Sequence, residues 1–115
     1  VARYTSSYLV KLPLGQLESL LKDLFYACHF EMIYHTLDYI MAKEIPGEVP
    51  FSKLVTVEVL IDSTMATKNE VQVNLVVKND ELPLQLNNHC RQMFDRIQQA
   101  IAEHQQWQWL ENVTS

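Results

Sequence analysis

Glycine is scarce in this chain. Gly15 and Gly47 are the only two in 115 residues, beside four prolines. A cradle for nucleotide phosphates needs several glycines close together, so phosphate-loop chemistry is excluded. So few breakers also exclude collagen-like, linker-like and loop-heavy folds. Cysteine is equally rare. Cys28 and Cys90 stand alone, one in each half, where an exported domain of this size would carry a disulfide framework. They read as buried, reduced thiols of a cytoplasmic protein.

Clustered positive charge is missing as well. Nine basic residues face fourteen acidic ones for a net charge of −5, and no two basic residues are adjacent. Neutralising phosphates takes a concentrated cationic footprint, so nucleic acid is not an expected partner. The same scatter argues against an anionic membrane surface. The most apolar stretch, 24–34, is broken by His29 and Glu31 and is too short to insert into a bilayer. Residues 1–11 lack the basic start and apolar block of an export signal. The glycosylation sequon at Asn112 is then a chance match.

What is present is a globular composition, 48% apolar and 20% charged, sufficient for one domain over 1–115 with its own core. Residues 3–12 alternate weakly and predict a strand. Pro13 opens a long helix predicted over 14–43. Its apolar positions, Leu17, Leu20, Leu21, Leu24, Cys28 and Met32 with Phe30, Ile33, Leu37, Ile40 and Met41, recur at threes and fours. Pro46-Gly47 ends it. Residues 53–62 and 70–78 alternate clearly, with Val55, Val57, Val59 and Ile61 facing Val71, Val73, Leu75 and Val77. A centred turn sets Val59 opposite Val73, Val57 opposite Leu75 and Asp62 opposite Glu70. Asp80, Glu81 and Pro83 begin a second helix, with Leu86, Cys90, Met93, Ile97, Ile101 and His104 on its buried stripe. The predicted fold is α+β, β-α-β-β-α, with two long helices on one face of a two- or three-stranded antiparallel sheet.

Function follows from the first helix. Between 24 and 42 it carries only two charges, Glu31 and Asp38. A helix apolar nearly all round must be covered on most sides, and so small a sheet covers little. The expected role is a non-enzymatic protein-interaction module (an assembly factor, adaptor or complex subunit) acting as a homodimer. Its interface would be Phe30, Tyr34, Leu37, Ile40 and Met41, with Trp107 and Trp109 as aromatic anchors. An unpaired hairpin edge offers a second way for two copies to join.

The alternative is a ligand- or metal-binding protein, or an enzyme, with a pocket between helices and sheet. Cys28, Glu31, His35 and Asp38 would share one helical stripe at i, i+3, i+7 and i+10, and His89 and Cys90 would approach from the second helix. No tight ligand motif such as His-Glu-x-x-His occurs, so the main reading assigns no cofactor, metal or catalytic residue. The neighbours Cys28-His29 and His89-Cys90 point about 100° apart on a helix and make poor nucleophile–base pairs.

Overall fold

The computed structural model describes residues 1–83, 88–104 and 107–114, with 108–114 described by backbone alone. Its elements are β1 (Ala2–Val10), α1 (Leu14–Ala27), β2 (Phe30–His35), β3 (Tyr39–Glu44), β4 (Thr56–Asp62), β5 (Val71–Asn79), α2 (His89–Ala102) and β6 (Trp107–Thr114). Five strands form an antiparallel sheet in the order β2-β3-β4-β5-β1, and β6 adds a sixth at the β1 edge. The class is α+β as expected. The two- or three-stranded sheet and the β-α-β-β-α order are not what forms.

The largest correction concerns the helix predicted over 14–43. It ends at Ala27. Cys28 donates its N–H to the carbonyls of Leu24 and Phe25, and His29 then takes a left-handed φ of 72°. That conformation follows a helix C-cap and turns the chain out of the helical path. Beyond it, Phe-Glu-Met-Ile-Tyr-His and Tyr-Ile-Met-Ala-Lys-Glu pair as β2 and β3, closed by the Thr36 N–H on the Tyr39 carbonyl at 2.7 Å. Aromatic and β-branched residues favour a pleated surface. Their apolar spacing also fits a period of two: Phe30 and Met32 inward on β2, Ile40 and Ala42 inward on β3. The supposed all-round apolar helix is therefore a shorter helix plus a two-faced hairpin, and its excess circumference does not exist.

The valine hairpin is real but its register differs. Val59 pairs with Leu75, Val57 with Val77 and Asp62 with Gln72. The shift is two residues, so the same side chains still face the core. Its cause is the connection. Asp62 caps a 3-10 turn at Ser63–Met65 by accepting the Met65 N–H, and Thr67 and Glu70 bond each other outside the ladder.

The second helix starts at His89, not near Asp80. Asn88 caps it by accepting the Arg91 N–H at 3.0 Å. Leu86 lies outside the described residues. The stripe Cys90, Met93, Ile97 and Ile101 is buried, joined by Phe94. Residues 113 and 114 belong to β6.

Both helices lie on one side of the sheet. α1 contributes Leu17, Leu21, Leu24 and Phe25, and the strands contribute Tyr4, Tyr8, Val10, Phe30, Ile40, Val57, Val59, Val73 and Leu75. Tyr4 stacks on Phe94 with centroids 5.5 Å apart, and the Arg91 guanidinium covers the Tyr4 ring. Burying each large side chain contributes about 1.5–3 kcal/mol, so this layer holds the fold together. Among the described residues, no helix is long and apolar enough to cross a membrane.

Candidate functional site

Strand alternation gives the sheet a second face that no helix covers. On β1 the burial pattern is strict: Ala2, Tyr4, Ser6, Tyr8 and Val10 are buried, while Arg3, Thr5, Ser7 and Leu9 are not. The ladder arranges the open side in rows across the strands. One end row runs Arg3, Lys78, Thr56, Lys43, Glu31. The next runs Thr5, Val76, Glu58, Met41, Tyr34, and the third Ser7, Asn74, Leu60, Tyr39. The far row is Leu9, Gln72, Asp62.

This face is uneven. Its β2–β4 side carries an apolar patch at mid-strand, between Glu31, Lys43 and Thr56 at one end and Asp62 at the other: Tyr34 is 54% exposed and Leu60 45%, with Met41 and Tyr39 half-buried between them. Ile33 at the β2 bulge and Leu37 in the β2–β3 turn, 68% exposed, extend the patch along its margin. The Tyr34 and Tyr39 rings lie 5.9 Å apart. The β5–β1 side is more polar, and the Ser7 hydroxyl bonds Asn74 there. Glu58 ties the two sides together. It accepts the Tyr39 hydroxyl at 2.5 Å and pairs with Lys78 at 2.7 Å. Lys78 and Tyr39 hold the Glu58 carboxyl below its usual range, against the opposing pull of burial. Burial, with the adjacent carboxylate, pushes the Tyr39 phenol up to about 12. Tyr39 is thus a fixed neutral donor, and its ring is held rigid for contact.

A second polar cluster is internal. The Glu44 carboxylate has no exposed surface and lies 2.9 Å from His89 Nε2 with both oxygens. It also accepts the Val55 N–H at 3.1 Å. Glu81, buried beside the start of α2, accepts the N–H groups of His89 and Cys90 and the Asn79 amide. Two carboxylates are thereby spent on backbone and ring donors, which is the pattern of a structural clasp at a helix start.

The predicted ligand residues do not converge. Cys28 caps α1 in the core, Glu31 is exposed on β2, and His35 pairs with Glu18 of α1 at 3.2 Å. His89 and Cys90 sit together at the start of α2. Their proposed common stripe required one helix through 28–38, and that helix is absent. Among the described residues, no group of three or more His, Cys, Asp or Glu is placed to hold a metal. Burial pushes both thiols up, Cys90 to about 12 with Glu81 and Glu44 adding to the effect. Neither thiol is activated. A solvent-open groove of about 530 Å³ does lie between α1 and β2, walled by Tyr26, Phe30, Met32 and Ile45 with Lys22, Asp23 and Glu31 at its rim. Glu31 is its one contribution from the predicted ligand set.

The predicted interface residues separate into two groups. Phe30, Ile40 and Trp107 are buried, and Trp107 meets Tyr8 edge-on at 5.2 Å. A charge introduced at Phe30 therefore tests folding, not association. Tyr34 and Met41 are ladder partners on the open face, and Leu37 is exposed in the β2–β3 turn beside them. Trp109 is paired with Tyr8 in the β1–β6 ladder, and its side chain lies outside the described residues. The predicted interface set leaves out Tyr39 and Leu60, which the ladder places on the same face. The strand alternation breaks at Leu60, among Thr56, Glu58 and Asp62, and at Val76, among Gln72, Asn74 and Lys78; of the two, Leu60 is exposed and Val76 is buried.

Together these features define an α+β protein with both described helices on one sheet face and a partly apolar patch exposed on the other. No protein-family model matches the chain, and no curated protein is significantly similar to it.

Proposed function

We propose that this protein is a non-enzymatic interaction module that works as a homodimer, an assembly factor, adaptor or subunit type of protein, and that the open sheet face is its contact surface. The observation that carries this reading is the cluster of Tyr34, Leu37, Met41, Tyr39 and Leu60 on one side of that face. Contiguous exposed apolar surface rimmed by polar groups is the usual mark of a protein contact. Rigid aromatic groups lose little entropy on docking. The paired charges of Glu58 and Lys78 give a satisfied polar base beneath it. Two reduced, buried thiols suit the cytoplasm.

The groove beside α1 supports a second reading, a small-molecule site. Its volume is adequate, but its rim carries two acids and one base with no fixed polar group aimed inward. The face is the better candidate.

Leu60→Asp and Tyr34→Asp decide the matter by light scattering. Wild-type protein is expected at about twice 13.4 kDa, and both variants near the single mass with unchanged helical and strand content. Equal masses for all three at every concentration would end this reading.

A further inference from the structure

From the bonds at the start of α2, we infer an acid-released latch: protonating Glu44 and Glu81 frees the first turn of the helix from the sheet, while α1 and the strands stay packed. The latch lies on the helix side of the sheet, apart from the contact face.

Two buried carboxylates join the helix to the strands. Glu44, the last residue of β3, lies 2.9 Å from the His89 ring nitrogen with both oxygens, and one of them also accepts the Val55 N–H ahead of β4. Glu81, just past β5, accepts the His89 and Cys90 N–H groups at 3.1 and 2.9 Å, and the Asn79 amide. These partners all present N–H groups. A protonated carboxyl gives up an acceptor there and adds a further donor. An imidazole in acid carries N–H on both nitrogens and cannot become the acceptor instead. The Glu44 side chain has no exposed surface and Glu81 is 6% exposed, so neither reaches water without local opening. Neutral Glu81 also withdraws the negative charge that suits the positive end of α2.

The surroundings keep the release local. The charged and titratable groups around the pair are His89 and Cys90 on α2, Lys53 ahead of β4, and Tyr4 on β1 with Arg91 and Asp95 beyond it. Lys53 favours the Glu81 anion, an attraction that neutralisation also forfeits. Past its first turn α2 is held by Met93, Phe94, Ile97 and Ile101, and α1 by Leu17, Leu21, Leu24 and Phe25, none of which titrates. Cys90 reports the state of the latch. It is fully buried, its thiol 3.5 Å from the Val77 carbonyl and 3.8 Å from that of Ala2. Cys28, buried at the end of α1, is the internal control.

Labelling the whole chain with dithiodipyridine, a disulfide that reacts with thiols even in acid, reads both positions, and peptide mass spectrometry separates them. Rates are divided by those of the urea-unfolded chain at the same pH. From about pH 7 to about pH 3 the Cys90 rate should climb about tenfold or more, and the Cys28 rate should change less than about twofold. Glu81→Gln should label faster at Cys90 already at neutral pH, with a flatter profile. Both thiols rising together means global unfolding and overturns the latch. So does a flat Cys90 rate, or a Glu81→Gln profile identical to wild type. Should Glu81→Gln fail to fold, amide exchange of the wild-type chain decides. The His89 and Cys90 N–H groups should lose protection in acid before those of Ile97 and Leu21, and simultaneous loss overturns the latch.

Discussion

Glu44 shows how far one residue can determine local stability. Its carboxylate has no contact with water, and the His89 ring supplies the only side-chain donor among its described hydrogen bonds. Removing the ring strands a buried acid group. His89→Ala should therefore destabilise by about 3–5 kcal/mol, measured by urea unfolding. Glu44→Gln added to His89→Ala should recover part of that loss, because an unpaired amide is less costly to bury than a carboxylate. A double variant as unstable as the single one would show that the cost is lost packing. Tyr8 is the opposite case. Its hydroxyl, like that of Ser6 on the same strand face, is buried without a well-formed hydrogen bond. Tyr8→Phe keeps the ring against Trp107 and removes a buried hydroxyl whose one polar neighbour is Ser6. The expected change is between zero and about 2 kcal/mol of added stability, and a loss above about 1 kcal/mol would reveal a partner for the hydroxyl.

At the level of elements, the joint between α1 and β2 turns on His29. A left-handed φ costs a non-glycine residue about 1–2 kcal/mol, and the His29 Nε2 atom is also buried without a partner. His29→Gly should raise the melting temperature by a few degrees, whereas His29→Val should lower it. This joint is also where the sequence misleads. Glycine would have announced the end of α1, and histidine does not. The apolar residues of 30–42 recur at spacings that satisfy a helix and a hairpin equally, so periodicity had no power there. The β4–β5 hairpin, by contrast, was legible because valines alternate with Thr56, Glu58, Gln72 and Asn74 without a competing helical spacing. The buried stripe of α2 was legible for the same reason. Its start was not, because Glu81 acts on the helix from eight residues away in sequence. The candidate face was half legible: Tyr34, Leu37 and Met41 stood out as large apolar groups, but assigning them to one surface required the ladder.

The Glu81 clasp also makes the α2 joint sensitive to acid. Burial pushes the Glu81 carboxyl up, and the hydrogen bonds from Asn79, Cys90 and His89 more than reverse this, so it lies below the ordinary value of 4.5. A group lowered on folding stabilises the native state above its unfolded pKa and loses that contribution as pH falls through the folded one. Glu81→Gln should melt lower than wild type at neutral pH, and the gap should close as pH drops below about 4.5. A gap independent of pH would place the effect in shape and not in charge.

For the whole molecule, association and stability are coupled. A partner that binds only the folded chain shifts unfolding by RT ln(1 + [L]/Kd), about 2.7 kcal/mol at a hundredfold excess over Kd. Contact through the open face therefore makes the melting temperature rise with protein concentration. The core lies on the other side of the sheet, so it does not compete with this effect. Leu60 is 45% exposed and outside the core cluster, so Leu60→Asp should cost the isolated fold little, within about 0.5 kcal/mol. The two melting curves should then coincide at micromolar concentration or below and diverge as concentration rises, with wild type gaining and Leu60→Asp staying constant. A variant that melts lower by the same amount at every dilution would mean that Leu60 supports the sheet itself. Parallel, concentration-independent curves would mean that the face stays in water.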